Sequence, residues 1–120
     1  MGKRTIVLGA SPNPDRFSYK ATQLLHKYNH EVIPIGIRSG MIGDIEIKDL
    51  SELPDKVHTI SLYLNPTKQR DLYPFILSIR PKRIIFNPGT ENAELVNIAI
   101  KHGITCEEAC TLVLLETNQY

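Results

Sequence analysis

Short β-branched runs alternate along this 120-residue chain with segments that have helical spacing, and this alternation constrains the fold more than any other feature. We interpret residues 5–8, 31–35, 57–63, 83–86 and 104–106 as strands. Several of these runs are apolar at consecutive positions, which is typical of strands covered on both faces. The pattern predicts an α/β fold, a three-layer Rossmann-like doubly wound sheet of five parallel strands in the order 3-2-1-4-5 with right-handed crossovers.

The segment between the first two strands has the spacing of an amphipathic helix. Its apolar positions recur at i, i+3, i+4 and i+7, and they are Ala21, Leu24, Leu25 and Tyr28. Ser18 is placed to cap the start of this helix, and Asn29 with His30 would end it. Residues 39–54 are less regular, with turn signals at Gly40 and Gly43 and one helical turn predicted near Leu50.

Three further helices are predicted in the second half of the chain. Asn65 followed by Pro66 is typical of an N-cap and a first helical position, and Pro74 then kinks or restarts that segment. Thr90 is predicted to cap the next helix, which Gly103 follows. The predicted buried stripe of that helix is Leu95, Val96, Ala99 and Ile100. Residues 109–116 are predicted to form a terminal helix.

Length and composition favour one globular domain over residues 1–120, because 42% of the residues are hydrophobic and 22% are charged. A net charge of +1 is too balanced for a protein that binds nucleic-acid phosphates, so we expect no nucleic-acid partner. No apolar run approaches the roughly 20 residues that cross a bilayer, so we expect no membrane partner. Only Cys106 and Cys110 occur, which predicts no metal site and a cytoplasmic location.

The loops that follow the predicted strands lie where a doubly wound sheet binds its ligands. They run over residues 9–18, 35–40, 64–67 and 87–90. Small residues, prolines or asparagines occur in each of these loops, although the geometry of turns alone also favours these residue types. We therefore predict a ligand site at this edge of the sheet.

The first of these loops departs from the dinucleotide-binding fingerprint. Gly9 occupies the first glycine position, but Ser11 and a proline-rich stretch replace the rest. The acidic residue that normally ends strand 2 and binds the ribose of NAD is missing, and the nearest charge is Arg38, which favours a phosphorylated ribose. Arg16 and Lys20 flank the start of the first helix, where they would either attract phosphate or remain as solvated surface charges.

These loops resemble the stand-alone CoA-binding domain family, whose members are similar to the N-terminal CoA-binding domain of the succinyl-CoA synthetase α subunit. The resemblance begins with residues 7–14 (VLGASPNP) and continues through Arg16, residues 18–21 (SYKA) and residues 32–35 (VIPI). It extends through Asn65-Pro66 and residues 87–90 (NPGT) to residues 108–110 (EAC), so it covers nearly the whole chain.

The resemblance implies that all four loops contribute to a CoA site. The residues implied beside the CoA phosphates are Gly9, Ser11, Pro12, Arg16, Ser18 and Tyr19, and we also include Ala10, Asn13 and Lys20 among the ligand-binding residues. Those implied beside the adenosine and its 3′-phosphate are Pro34, Gly36 and Arg38. Leu64, Asn65 and Pro66 would flank the adenine or pyrophosphate, and Asn87, Pro88, Gly89 and Thr90 the pantetheine.

A catalytic arrangement is not evident among the nucleophiles and bases of the sequence. No Ser/His/Asp or Cys/His combination can be placed at the carboxyl ends of the strands. We interpret His26 and His102 as surface residues, Cys106 as a core residue, and Cys110 as a thiol whose activation Glu107 and Glu108 oppose.

We therefore expect a module that binds CoA or an acyl-CoA and catalyses no reaction alone. Two alternatives stay open, an NADP-type dinucleotide-binding domain and a regulatory or interaction subunit without a ligand. A homodimer or an unidentified partner chain is also left open.

Overall fold

The computed structural model describes residues 2–120 and contains one five-stranded sheet in which all neighbouring strands are parallel. The strands along the chain are β1 (Thr5–Leu8), β2 (Val32–Ile35), the short hairpin of β3 (Met41–Ile42) and β4 (Ile45–Glu46), β5 (Thr59–Leu62), β6 (Arg83–Phe86) and β7 (Thr105–Glu108). The helices are α1 (Phe17–Lys27), α2 (Pro66–Gln69), α3 (Tyr73–Ile79), α4 (Ala93–Lys101) and α5 (Thr111–Glu116), and a 3₁₀ turn at Arg70–Leu72 joins α2 to α3.

The order of strands in the sheet is β2-β1-β5-β6-β7, so the predicted parallel α/β sheet is confirmed but its predicted order is wrong. Counted along the chain, the order is 2-1-3-4-5. The third strand cannot pair with the outer side of β2 because Lys48 already occupies it: the Lys48 N–H donates to the Pro34 carbonyl over 2.9 Å. The Pro34 nitrogen faces that same side and has no hydrogen to donate to a further strand. Proline therefore fixes β2 at the edge of the sheet.

The sheet is covered on both faces, which confirms the predicted three layers. Ile76 of α3 and Leu95 of α4 are fully buried against one face. Leu25 of α1 and Leu115 of α5 pack on the other face, together with Ile42 of the β3–β4 hairpin. None of the helices formed by residues 2–120 is both long enough and apolar enough to cross a membrane.

Two of the predicted helix caps are wrong. The helix α1 begins at Phe17, so Ser18 lies inside its first turn, where it is buried and its carbonyl accepts the Thr22 hydroxyl over 2.8 Å. The cap of α4 is Asn92, whose Oδ1 accepts the Leu95 N–H over 3.3 Å. Thr90 instead donates its hydroxyl to the Asn87 carbonyl, because it is already buried inside the preceding loop.

Other helix predictions are confirmed. Asn65 caps α2 through a 3.0 Å hydrogen bond from the Lys68 N–H, and Pro74 lies at the restart of the segment in α3. Two residues assigned to buried stripes are exposed: Tyr28 is 40% exposed and Ile100 is 59% exposed. Tyr28 is the C-cap of α1, and Ile100 lies in the last turn of α4.

Strand boundaries differ from the sequence interpretation by one or two residues, except for β1 and β6, which match it. Residues 39–54 hold the β3–β4 hairpin, with Gly43 in its turn, as the turn signals indicated. Near Leu50 the structure has a turn in place of the predicted helical one, because Asp49 accepts the Ser51 N–H over 2.8 Å.

Candidate functional site

Three of the four predicted loops meet at the carboxyl ends of β1, β2 and β5. A Cβ atom on Gly9 would lie 2.9 Å from Leu64 Cγ, so the loop after β1 touches the loop after β5. A Cβ atom on Gly36 would lie 2.3 Å from the Ala10 carbonyl oxygen, so the loop after β2 also packs against the first loop. Only glycine permits these approaches, because any side chain would push the backbones apart.

The first loop also makes its own turn before α1. Ser11 Oγ accepts the Asn13 N–H over 3.1 Å, and Asn13 Oδ1 accepts the Asp15 N–H over 3.0 Å. Pro12 packs near Gly40, where an added Cβ would lie 2.8 Å from the Pro12 Cβ. These contacts hold the loop in one conformation over the end of the sheet.

The N-terminus of α1 points from this loop toward the solvent without a side-chain cap. Arg16 is the N-cap residue and makes no capping hydrogen bond, so the first N–H groups of this 11-residue helix are open to an anion. Lys20 is exposed, with its Nζ 5.5 Å from the centre of the Phe17 ring. The helix start therefore combines a positive dipole end with two cationic side chains.

A pocket of about 390 Å³ lies beside the end of β2. It is lined by Gly36, Ile37, Arg38, Ser39, Glu46, Ile47, Lys48, Asp49, Ser51 and Glu52. The hydrogen bond from Lys48 and its positive charge lower the pKa of Glu46. The same contact, 2.8 Å between Lys48 Nζ and Glu46 Oε1, pairs the lysine with this carboxylate. The Ser51 hydroxyl and N–H lower the pKa of Asp49. Arg38 thus faces ionised carboxylates across this pocket.

The fourth loop begins with a buried polar residue. Asn87 is 1% exposed, and its Nδ2 donates to Ser61 Oγ over 3.0 Å and to the Leu62 carbonyl over 2.9 Å. Its Oδ1 accepts the Thr111 N–H over 2.8 Å. The whole amide of Asn87 is therefore used to join β5 and β6 to the start of α5.

A second buried amide ties the loop after β5 to the loop after β6. Gln69 is fully buried, and its Nε2 donates to the Leu64 carbonyl over 2.7 Å and to the Thr90 carbonyl over 2.8 Å. Its Oε1 accepts from Asn92 Nδ2 over 2.9 Å. Sequence reasoning missed Gln69, because a polar residue in a helix gives no signal that it points inward.

A second pocket, of about 330 Å³, lies next to these amides. It is lined by Pro66, Thr67, Arg70, Asp71, Tyr73, Asn92 and Glu94. Tyr73 accepts from Asn92 Nδ2 over 2.9 Å and donates to Glu94 over 3.0 Å. Of this lining, the sequence predicted Pro66 as a site residue and placed Thr67 in the same loop, and it missed the rest.

The 19 residues predicted for the site divide by exposure. Those exposed are Asn13, Arg16, Lys20, Arg38, Asn65, Pro66, Pro88 and Gly89. Those half-buried are Gly9, Ser11, Pro12, Tyr19, Gly36 and Leu64. Those buried are Ala10, Ser18, Pro34, Asn87 and Thr90. The exposed and half-buried groups are the ones whose side chains a ligand can reach.

Two titratable side chains on or next to the strands keep their protons. Burial raises the pKa of the Tyr63 phenol, and burial likewise raises the pKa of the Cys106 thiol, so both groups are protonated at neutral pH. Cys106 packs against the core, as predicted, and Cys110 is the N-cap of α5. Within residues 2–120, His, Cys, Asp and Glu form no group of three suited to a metal ion.

Comparisons with known proteins agree with this geometry. A family model described as a CoA binding domain matches residues 3–116. A crystal structure of an uncharacterized protein is 41% identical, covers 100% of this chain and 99% of its own, and superposes with a TM-score of 0.97. No curated protein has a significant match to the chain.

Two more distant structures share the fold. A protein from Thermus thermophilus is 22% identical with a TM-score of 0.85, and the alignment covers 99% of this chain and 91% of that one. A hypothetical protein from Pyrococcus horikoshii is 20% identical with a TM-score of 0.86, covering 97% of this chain and 83% of that one.

Proposed function

The chain belongs to the CoA-binding domain family, and from this premise we propose that it binds CoA or an acyl-CoA at the carboxyl ends of its parallel strands without catalysing a reaction alone. The single observation that carries this proposal is the contact among the loops after β1, β2 and β5. These loops meet where the strand order reverses, between β1 and β5, which is where doubly wound sheets bind nucleotides.

The phosphates of the ligand are proposed to lie at the start of α1. Its uncapped N–H groups offer donors to a diphosphate, and Arg16 and Lys20 add positive charge beside them. Gly9 and Gly36 let the three loops pack together, which fixes the backbone beside the start of α1. Ser11 and Asn13 hold the loop through their own turn, which leaves the preceding backbone fixed for binding.

The adenosine end is proposed to occupy the 390 Å³ pocket beside β2. Arg38 lines this pocket, where its guanidinium would bind the 3′-phosphate of CoA. Lys48 is already paired with Glu46, so Arg38 is the cation available to the phosphate in this pocket. Asp49 and Glu52 line the same pocket and oppose Arg38, because negative groups near the phosphate repel it.

The pantetheine arm is proposed to pass the loops after β5 and β6. Asn65, Pro66, Pro88 and Gly89 present exposed surface there. Asn87 would act differently from its neighbours, because both its amide nitrogen and its amide oxygen already form hydrogen bonds to protein groups. It would therefore position the loop and would not contact the ligand through its side chain. Ser18 and Thr90 are buried in the same way.

Titration calorimetry with CoA and dephospho-CoA tests the proposal, because the two ligands differ only in the 3′-phosphate. We expect the wild-type protein to bind CoA about tenfold more tightly, since a charge-assisted contact to a phosphate is worth roughly 1.5 kcal/mol at an open site. In Arg38→Ala the two ligands should bind alike, with dephospho-CoA affinity nearly unchanged. Glu52→Gln should raise CoA affinity about twofold and leave dephospho-CoA unchanged.

Lys82→Ala is the matched control, since this exposed lysine directly precedes β6 and so lies at the amino ends of the strands, away from the proposed site. It removes the same formal charge and should leave both affinities unchanged. An equal loss for both ligands in Arg38→Ala would place Arg38 at the diphosphate instead. No binding of either ligand by the wild type, or tighter binding of NADP, would overturn the proposal.

A further inference from the structure

At the amino ends of the strands, opposite the loops discussed above, the side chain of Tyr120 is buried in a cluster of polar groups. Its hydroxyl lies 2.7 Å from Thr5 Oγ1, and the guanidinium carbon of Arg83 lies 4.4 Å from the centre of its ring. The ring of His30 meets the Tyr120 ring edge-on, with 4.8 Å between centroids. Lys3 Nζ donates to the Tyr120 backbone oxygen. We call these five residues the Tyr120 cluster.

His30 takes part in this cluster as a hydrogen-bond acceptor. Its Nδ1 accepts the backbone N–H of Lys3 over 2.8 Å, which requires that nitrogen to carry no proton. Protonation at Nδ1 would place its N–H opposite the N–H of Lys3, so the hydrogen bond between them would be lost. It would also add a positive charge next to the cations of Lys3 and Arg83.

A second histidine contacts the cluster through Thr59. His58 Nδ1 lies 2.7 Å from Thr59 Oγ1, and the same hydroxyl oxygen accepts from Arg83 Nε over 3.0 Å. Burial and the charges of Arg83, Lys3 and Lys82 lower the pKa of His58. Burial, followed by Lys3 and Arg83, likewise lowers the pKa of His30.

Three carboxylates face this region without neutralising the histidines. Glu107 of β7 lies 3.7 Å from Arg83 Nη1, and Glu31 lies 3.6 Å from Arg4, which also lies 3.9 Å from Asp55. Each carboxylate is therefore already close to an arginine. The Tyr120 cluster remains a site where added protons meet mainly positive charge.

The Tyr120 cluster is connected to the other end of the molecule by α5. Thr111, the first residue of that helix, donates its N–H to Asn87 Oδ1, and its hydroxyl lies 2.7 Å from Ser61 Oγ. The helix has only six residues, so on its own it would be marginal in water. Residues 111–120 are thus held at one end by Asn87 and at the other by Tyr120.

We propose that the Tyr120 cluster holds residues 111–120 in place in a pH-dependent way. When His30 and His58 take up protons, these contacts weaken and residues 111–120 open. The inference does not depend on CoA binding. It extends to the loop after β6 only through the contact between Thr111 and Asn87.

The direction of the effect follows from proton uptake. In the closed form both histidines resist protonation, whereas in an opened form they return to a pKa of about 6.5. The opened form therefore binds more protons below that pH, and opening becomes more favourable as the pH falls. Each histidine can raise the opening constant by up to about tenfold between pH 7.5 and pH 5.5.

Amide hydrogen exchange measured by mass spectrometry tests the proposal on the full chain. Rates are corrected for the intrinsic pH dependence of exchange, and residues 17–27 of α1 serve as the internal reference. We expect opening of residues 111–120 to rise about three- to tenfold from pH 7.5 to pH 5.5, with α1 unchanged. A uniform rise over the whole chain, or no rise, would overturn the proposal.

Variants separate the histidines from other titrating groups. In the double variant His30→Asn and His58→Asn, the carbonyl oxygen of the asparagine introduced at position 30 can still accept the Lys3 N–H but does not titrate, so the pH effect should disappear. His26→Asn, at an exposed position on α1, should retain it in full. If the double variant does not fold, Tyr120→Phe replaces it: loss of the Thr5 contact should raise exchange of residues 111–120 at both pH values. An undiminished pH effect in the double variant, or unchanged exchange in Tyr120→Phe, would contradict the proposal.

Discussion

The two ends of the parallel sheet differ in how far their polar side chains are exposed. At the amino ends, Thr5, Thr59, Arg83 and Tyr120 are buried, and they contact one another. At the carboxyl ends, Arg38 and other polar residues are exposed beside two pockets of about 390 and 330 Å³. The difference shows that polar side chains at the amino ends contact other protein groups, while several of those at the carboxyl ends remain exposed.

Two Asn-Pro pairs at the carboxyl ends of the strands show the same difference between buried and exposed polar residues. Asn65-Pro66 follows β5 and Asn87-Pro88 follows β6, so the sequence alone presents them as equivalents. Asn65 is exposed and caps a helix, whereas Asn87 is buried and makes three hydrogen bonds to protein groups. The first is available to a ligand and the second stabilises the fold.

The largest effect that we expect is a loss of stability on substitution of Asn87. Asn87→Ala should lower the free energy of unfolding by about 3 kcal/mol, because it leaves the Thr111 N–H and the Leu62 carbonyl buried without their partner. Asn65→Ala, the matched variant, should cost about 1 kcal/mol, the usual value of a helix cap. Urea denaturation of both variants measures the difference. Equal costs would mean that the two asparagines have the same role.

A smaller effect tests the packing of the ligand-side loops. Gly36→Ala should lower the free energy of unfolding by about 2 kcal/mol, because the new methyl group would meet the Ala10 carbonyl and push the two loops apart. We expect the affinity for CoA to fall about tenfold in the same variant, since the loop contact shapes the proposed site.

Gly43→Asn is the control for this change. The turn of the hairpin leaves open space around Gly43, and asparagine tolerates its positive φ of 59°. Both stability and CoA affinity should therefore stay close to the wild-type values. If Gly36→Ala behaves like this control, the contact between the first two loops does not shape the site.

The sequence was sufficient to predict the sheet because β1, β5 and β6 are buried on both faces, and apolar or β-branched residues occupy all their positions except Ser61 and Arg83. The strand order was mispredicted, although Pro34 carried the signal: proline inside a strand favours an edge position. Lys48, which occupies this edge, follows a hairpin whose strands have two residues each and are too short to give a periodic pattern.

The candidate site was harder to predict than the fold. Sequence motifs identified the loops, and the structure brings three of them together through Gly9 and Gly36. The motifs could not distinguish the exposed Asn65 from the buried Asn87, whose side chain is hydrogen-bonded to protein groups. Gln69 was missed for the same reason, because long-range hydrogen bonds leave no local pattern in the sequence.

The most direct test of the central claim is a titration of the ¹⁵N-labelled protein with CoA, followed by the chemical shifts of the backbone amides. The account predicts shifts in residues 9–20, 36–40, 64–67 and 88–90, at the carboxyl ends of the strands. Amides next to the buried cluster at the amino ends, in residues 3–5, 58–59 and 118–120, should stay unchanged. Shifts centred on the amino ends, or none at saturating CoA, would contradict the account.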